Sequence, residues 1–192
     1  MSGDTPSDPS GTVEYGPALP GERAAAEEID NSFTTATVLE VTASEDGFRL
    51  REAPADPPLR KVYPAEEDEE EGADGAPEGD EDKHVIVARA GDVLCGAISL
   101  ARSAWNDRLV ITDLRVAPAH RGRGIGPALM ERALAHGREL GVRTAWLEVT
   151  NVNAPAVRVY RRMGFTLCGL DTSLYRGTAS EGETALFMSR PL

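Results

Sequence analysis

Six consecutive residues combine glycine with arginine between a strand-like run and a helix-like run: Arg121, Gly122, Arg123, Gly124, Ile125 and Gly126. The start of a helix leaves backbone N–H groups without partners and carries a partial positive charge. Glycine lets the backbone approach a bulky anion, and an arginine guanidinium donates forked hydrogen bonds to phosphate oxygens. The stretch therefore predicts a loop that binds a pyrophosphate group.

A second pattern follows the next strand-like run, where Asn153, Ala156 and Tyr160 precede Gly164 and Phe165. The first three residues lie within two turns of a predicted helix, on neighbouring faces. The phenol of Tyr160 could therefore either pack against the core or meet a bound molecule.

The spacing Arg-x-x-Gly-x-Gly, at Arg121, Gly124 and Gly126, resembles the acetyl-CoA loop of the GCN5-related N-acetyltransferases (GNAT). A generic glycine-rich turn is the alternative for this spacing alone, and the second pattern resembles another coenzyme A element of the same family. A dinucleotide fingerprint does not fit, because Pro127 stands where its third glycine would be. The resemblance implies acetyl-CoA as cosubstrate and coenzyme A contacts at these residues: Leu114, Arg115, Val116, Arg121, Gly122, Arg123, Gly124, Ile125, Gly126, Asn153, Ala156 and Tyr160.

The chain also resembles the streptothricin (nourseothricin) acetyltransferases nearly end to end, in stretches such as SFTTATVLEV, SAWNDRL and YRRMGFTLCGLD. This resemblance implies transfer of an acetyl group to an amine of the β-lysine part of streptothricin antibiotics, which confers resistance. Two alternatives stay open. One is a GNAT enzyme that acetylates a protein N-terminus or a polyamine, and the other is an acetyl-CoA sensor without turnover.

Acetyl transfer to an amine needs the neutral amine, and an alkyl ammonium with a pKa near 10 is only about 0.1 % neutral at pH 7. The site must lower the pKa of the amine or accept its proton, and it must protonate the leaving thiolate. The family resemblance implies that Tyr160 lies near the sulfur atom of coenzyme A. Tyr160 is therefore the candidate donor of the proton that the leaving thiolate needs. Asp113 and Glu148 are acids within apolar strands and are the two candidate bases. The structural alternative for each acid is an ion pair with Arg115 or Arg143.

A cationic acceptor would be bound by aromatic and acidic side chains. The candidates for this role are Phe33, Trp105, Trp146, Glu148, Asp171 and Tyr175. The family carries acids immediately before and two residues after the position of Asp113, where this chain has Thr112 and Arg115. This departure is the feature that favours the sensor alternative.

The predicted fold class is α/β (α+β), with a mixed, mostly antiparallel sheet flanked by helices and one β-turn-α crossover in the middle. Asp46-Gly47 between two strand-like runs predicts a hairpin. Helices are predicted over residues 21–33, 124–140 and 153–163. The GNAT resemblance implies that the strand over residues 108–116 diverges from the strand over 144–149. Coenzyme A would enter this V-shaped opening, and a backbone N–H near Leu114 to Val116 would bind the oxyanion.

Charge is unevenly distributed: eleven acids and no base lie between Pro64 and Asp82, in a chain whose net charge is −12. Composition therefore predicts a single domain over residues 12–192, with an acidic low-complexity loop over 64–83 and a disordered segment over 1–11. Nucleic acid is a poor partner for such a surface, because phosphate binding needs a basic face.

Several function classes are excluded by what the sequence does not encode. It contains neither an apolar run of about 18 residues nor a secretory signal, which argues against a membrane protein and for the cytoplasm. Cys95 and Cys168 are expected to be buried thiols. The three histidines do not cluster with cysteines or acids, so no metal site is expected. A homodimer is left open.

Overall fold

The computed structural model describes residues 12–63 and 83–192. The predicted disordered segment over residues 1–11 lies outside these described residues. The predicted acidic loop also lies outside them, except for Lys83, which already belongs to a strand.

Within the described residues, nine strands form two sheets. In chain order the strands are β1 (Val13–Pro17), β2 (Phe33–Ser44), β3 (Gly47–Lys61), β4 (Lys83–Ala90), β5 (Val93–Ser103), β6 (Arg108–Val116), β7 (Thr144–Thr150), β8 (Thr166–Asp171) and β9 (Ala185–Pro191). Seven of them form the main sheet in the order β1-β4-β5-β6-β7-β9-β8. Among these seven described strands, β6 and β7 are the only parallel neighbours, so the predicted mixed, mostly antiparallel sheet is confirmed.

In the part of the chain that the structure describes, three α-helices flank the sheet: α1 (Glu22–Glu27), α2 (Ile125–Glu139) and α3 (Ala154–Arg162). The main core includes buried side chains of α2, such as Leu129 and Met130, together with Ile86 and Ile98 of the sheet. Val85 and Val87 point to the opposite face, because side chains alternate along a strand. There they pack in a smaller cluster with Ala26 of α1 and with Ile29, which follows α1. The sheet is therefore covered on both faces.

Helix α1 ends at Glu27, although the sequence predicts a helix that continues to Phe33. The carbonyl oxygens of Glu27, Asp30 and Ser32 accept hydrogen bonds from arginine side chains elsewhere in the chain. The carboxylate of Asp30 also accepts from the backbone N–H of Ser32 at 2.8 Å, which stabilises a turn. Tertiary contacts therefore override the helical pattern after α1.

Strands β2 and β3 form a hairpin outside the main sheet. Ser44 pairs with Gly47 across a two-residue turn, which confirms the predicted hairpin. A backbone hydrogen bond of 2.9 Å from Leu39 to the carbonyl of Asn151 joins the hairpin to the end of β7. This placement brings the end of β3 close to the centre of the main sheet.

Strands β6 and β7 pair over only four residues, from Arg108 opposite Thr144 to Ile111 opposite Leu147. Immediately after Ile111, the pairing of β6 with β5 shifts by one residue, which leaves Thr112 as a β-bulge. A bulge bends the strand and increases its twist. Beyond it the two parallel strands no longer pair with each other, and they diverge as the GNAT resemblance implies.

The two cysteines differ from the expectation of two buried thiols. Cys95 is buried on β5, whereas Cys168 is exposed on β8. Strand β8 is an edge strand, so one of its sides has no neighbouring strand to cover it. In the part of the chain that the structure describes, every helix is too short or too polar to cross a membrane.

Gly96 allows β5 to lie close to β6 and α2. A Cβ atom at this position would lie 2.8 Å from the carbonyl oxygen of Arg115 and 3.3 Å from Ile125. We expect Gly96→Ala to lower the free energy of unfolding by about 1–3 kcal/mol, since backbone atoms must move to relieve the overlap.

Urea denaturation measures this change, with Gly16→Ala as the matched control. At Gly16 the nearest atom to a new Cβ is 3.7 Å away, which is an ordinary contact. Equal free energies of unfolding for the two variants would show that β5 and β6 move apart to accept the new methyl group without loss of stability.

Candidate active site

A cavity of about 420 Å³ opens where β6 and β7 diverge. Strand β6 contributes residues 111–115 to its lining, and strand β7 contributes residues 147–150. The remaining lining residues come from other elements and are Asn31, Tyr63, Asn153, Tyr160, Tyr175, Thr178, Ala179 and Ser180. The cavity therefore lies between the parallel strands, the α1–β2 connection, the end of the hairpin and the loop between β8 and β9.

Two carboxylates face this cavity in different environments. Asp113 forms an ion pair with Arg115, with a distance of 2.5 Å between its Oδ2 atom and Nε of the guanidinium. Glu148 accepts a hydrogen bond from the phenol of Tyr175. Asp113 thus forms the ion pair with Arg115 that is the predicted structural alternative to a catalytic base. Glu148 is held instead by a neutral donor, the phenol of Tyr175.

Three tyrosines line the cavity, and the protein disfavours ionisation of each phenol. Burial raises the pKa of Tyr160, and the negative charge of Asp113 adds to this effect. Burial also raises the pKa of Tyr63 to about 12, with a contribution from Glu183. The pKa of Tyr175 is raised by burial and by its hydrogen bond to Glu148. All three side chains are therefore neutral hydrogen-bonding groups at neutral pH.

A buried ion pair supports the side of the cavity formed by the hairpin. The side chains of Lys61 and Glu183 are only 8 % and 16 % exposed, and their charged atoms lie 2.5 Å apart. Glu183 also accepts a hydrogen bond of 2.5 Å from Thr150, and Lys61 donates one of 2.8 Å to Ser180. The pair joins the end of β3, the end of β7 and the β8–β9 loop.

The predicted pyrophosphate loop leads from a short 3-10 turn, Pro118–His120, into α2. Gly122 and Gly124 have φ angles of 74° and 81°, and no atom would lie within 4 Å of a Cβ at either position. Gly124 is the N-cap of α2, and no side chain caps the helix there. The first amides of α2 therefore remain available to an anion, and Pro127 lies in the first turn, where proline is tolerated.

The side chain of Arg121, which the sequence predicts as a pyrophosphate contact, has partners within the protein. Its guanidinium donates to the backbone carbonyls of Val116 at 2.8 Å, Ser32 at 2.6 Å and Asp30 at 2.5 Å. All three nitrogens of the guanidinium are thus engaged with protein backbone. The part of the loop best suited to a phosphate is its backbone, and Arg123 is the second arginine of the loop.

Asn153 is the N-cap of α3, and its side-chain oxygen accepts a hydrogen bond of 3.1 Å from the backbone N–H of Ala156. This contact explains the Asn-x-x-Ala spacing in structural terms. Tyr160 lies on the same helix, lines the cavity and has its ring centroid 6.1 Å from that of Phe165. Helix α3 thus carries both a cap and a phenol to the opening between the strands.

The six acceptor candidates lie in different places. Glu148 and Tyr175 line the cavity, and Phe33 lies next to it, with a ring-centroid distance of 6.3 Å to Tyr63. Trp146 packs against Phe187, with a ring-centroid distance of 5.3 Å.

The last two candidates lie away from the cavity lining. The carboxylate of Asp171 accepts hydrogen bonds from Ser173 and Leu174, which shapes the start of the loop that carries Tyr175, and these bonds lower the pKa of Asp171. Trp105 lies in the turn between β5 and β6, at the end of β6 away from the divergence, and is 84 % exposed. Neither residue is among those that line the cavity, and the role of each in binding an acceptor stays a prediction.

Sequence reasoning missed several residues that line the cavity, namely Asn31, Tyr63, Thr150, Thr178 and Ser180. A short extended piece ending at Tyr63 is visible in the sequence, but its place beside the central strands depends on the hairpin. The clearest signal available was a tyrosine directly before the acidic segment. Among residues 12–63 and 83–192, no three histidine, cysteine, aspartate or glutamate side chains lie close enough to hold a metal ion.

Comparisons with known proteins agree with this geometry. The model of the acetyltransferase (GNAT) family matches residues 48–165. A streptothricin acetyltransferase of Streptomyces lavendulae is 55 % identical over 94 % of this chain and 95 % of its own length.

Solved structures give the same result. A crystal structure of nourseothricin acetyltransferase superimposes with a TM-score of 0.82 at 52 % identity, over 93 % of this chain and 98 % of that one. A Bacillus anthracis protein in complex with acetyl coenzyme A has the same fold, with a TM-score of 0.74 at 22 % identity, over 94 % of this chain and 98 % of that one. The chain therefore belongs to the GNAT family, and it is an acetyl-CoA-dependent N-acetyltransferase.

Proposed function

We propose that this chain acetylates a primary amine in the β-lysine part of a streptothricin-class antibiotic and so inactivates it. The observation that carries the proposal is the cavity between β6 and β7, where Glu148 and three neutral tyrosines offer a site for a cationic amine. The 55 % identity with a protein named streptothricin acetyltransferase supports this choice of acceptor. The two free cysteines suit a reducing compartment, and we place the enzyme in the cytoplasm.

Acetyl-CoA supplies an acetyl group activated as a thioester. The backbone of residues 122–126 and the N-terminus of α2 would hold its pyrophosphate, because both offer N–H donors and partial positive charge. The backbone of β6 near Leu114 and Val116, at the edge of the opening, would bind its remaining length and the carbonyl oxygen.

We assign Glu148 as the group that accepts the proton of the acceptor ammonium, directly or through a water molecule. Asp113 is the weaker candidate, because its carboxylate already forms an ion pair with Arg115. Glu148 lies at the edge of the opening on β7, and Tyr175 orients its carboxylate. Its negative charge also attracts a cationic acceptor into the cavity.

Tyr160 is the proposed donor of the proton that the leaving thiolate needs. Its raised pKa, caused by burial and by Asp113, keeps the phenol protonated at neutral pH. A protonated phenol next to the opening satisfies the first requirement for a general acid.

The identity of the acceptor is tested by the release of coenzyme A thiol from acetyl-CoA in the presence of streptothricin, a short peptide or spermidine. We expect rapid release with streptothricin alone. Release with the peptide or with spermidine instead would retain acetyl transfer and overturn the antibiotic as acceptor. Binding of acetyl-CoA without release for any of the three would favour the sensor.

The base is tested by Glu148→Gln, for which we expect kcat/KM at pH 7 to fall by about 10²–10⁴-fold. The rate of this variant should recover as the pH rises, because a growing fraction of the acceptor amine is then already neutral. Asp113→Asn is the comparison, and a larger loss with a steeper pH profile in that variant would reverse the assignment.

The protonation of the cavity tyrosines is tested by the stability of the protein in alkali. The phenols of Tyr160 and Tyr175 have a higher pKa in the folded protein than in the unfolded chain, where the pKa is near 10. Each phenol therefore contributes stability that is fully present below pH 10. This contribution is lost as the pH rises through the pKa of the folded state. The free energy of unfolding should therefore fall above pH 10, and it should fall less steeply in Tyr160→Phe.

Urea denaturation between pH 8 and pH 11 makes this measurement, with Tyr15→Phe as the matched control outside the cavity lining. An identical pH dependence in the wild type and in Tyr160→Phe would contradict a raised pKa at Tyr160.

A further inference from the structure

One guanidinium group joins the pyrophosphate loop to the chain segment between α1 and β2. Arg121 belongs to the loop, and its Nη1 and Nη2 atoms donate to the carbonyls of Ser32 and Asp30 at 2.6 and 2.5 Å. Its Nε atom donates at 2.8 Å to the carbonyl of Val116, the last residue of β6. These three hydrogen bonds fix the segment against the end of the strand that borders the cavity.

This segment, taken as residues 27–33 from the last residue of α1 to the first of β2, borders the cavity beside Asn31 and Tyr63. We call this part of the cavity its acceptor side. Asn31 lines the cavity directly. Phe33 begins β2 and packs against Tyr63, which also lines the cavity. Displacement of the segment would therefore change the surface that an acceptor meets.

Arginine suits these contacts for a geometric reason. Asp30 and Ser32 lie in irregular backbone between α1 and β2, where carbonyl groups must find partners outside helix and sheet. A guanidinium presents its donors in a rigid, planar fork, which can serve carbonyls that point from several directions. A lysine ammonium retains the charge as a compact point and lacks this fork.

We propose that the side chain of Arg121 is a positioning residue for the acceptor side of the cavity and is not a phosphate ligand. It acts by holding the carbonyls of Asp30 and Ser32 against the end of β6. The carbonyl of Glu27, at the start of the segment, accepts instead from Arg115. The identity of the acceptor in this inference rests on the proposed function, whereas the role of Arg121 in ordering the segment does not.

The test compares Arg121→Ala and Arg121→Lys with the wild type in three measurements. These are the Kd for coenzyme A, the KM for streptothricin, and amide hydrogen exchange of residues 27–33 in the protein without ligands. We expect the KM to rise by roughly tenfold or more in both variants, since several charge-assisted hydrogen bonds are lost. The Kd for coenzyme A should change by less than about twofold, because loss of one bound phosphate contact would shift it further.

The lysine variant separates the two roles of the arginine. If the charge served a phosphate, lysine would restore coenzyme A binding that alanine loses, and this result would overturn the proposal. If the forked guanidinium holds the segment, amide hydrogen exchange of residues 27–33 is faster in both variants than in the wild type. Lysine then restores little of the slow exchange that alanine loses. Unchanged exchange in Arg121→Ala would also overturn the proposal.

Arg123→Ala is the matched control, because it removes the other guanidinium of the same loop. We expect it to weaken coenzyme A binding and to leave the exchange of residues 27–33 unchanged. Failure of the proposed function is recognised separately, since neither hydrogen exchange nor coenzyme A binding needs an acceptor. If the wild type uses spermidine or a peptide, the same comparison of KM is made with that acceptor.

Discussion

The divergence of two parallel strands is the constraint on which the rest of the site depends. Strands β6 and β7 share four paired residues and then separate at the bulge of Thr112. Loss of pairing in the middle of a sheet leaves backbone donors and acceptors that need other partners. Every element that carries a proposed catalytic group reaches this opening, so the same interruption provides both space and hydrogen-bonding capacity for a substrate.

The electrostatics of the cavity follow from how each charge is compensated. Asp113 is paired with Arg115, and Glu183 is paired with Lys61 in a buried network. Glu148 is instead held by a phenol, which orients the carboxylate and leaves its charge in place. In a partly desolvated cavity, such a charge interacts more strongly with an ammonium group than it would in water. The two candidate bases, Asp113 and Glu148, are therefore not equivalent, because an arginine pairs with the charge of Asp113 and a neutral phenol holds Glu148.

The local parts of the site could be predicted from the sequence. The helices predicted over residues 124–140 and 153–163 depend on neighbours within a few residues, and the structure has both as α2 and α3. The end of α1 could not be predicted, because arginines about ninety residues away determine it. Trp105 and Tyr63 show the same limit, since the composition of a loop does not tell which end of the sheet it occupies.

The hairpin formed by β2 and β3 lies outside the main sheet, yet it carries Tyr63 to the cavity, whereas the loop suited to pyrophosphate is attached to the main sheet. Evolution can therefore alter the choice of amine through the hairpin and the β8–β9 loop while the use of acetyl-CoA stays intact. Arg121 links the two parts, because it belongs to the pyrophosphate loop and its side chain binds carbonyl groups of the α1–β2 connection. A change of acceptor that moves the α1–β2 connection must therefore preserve the carbonyl groups that this arginine binds.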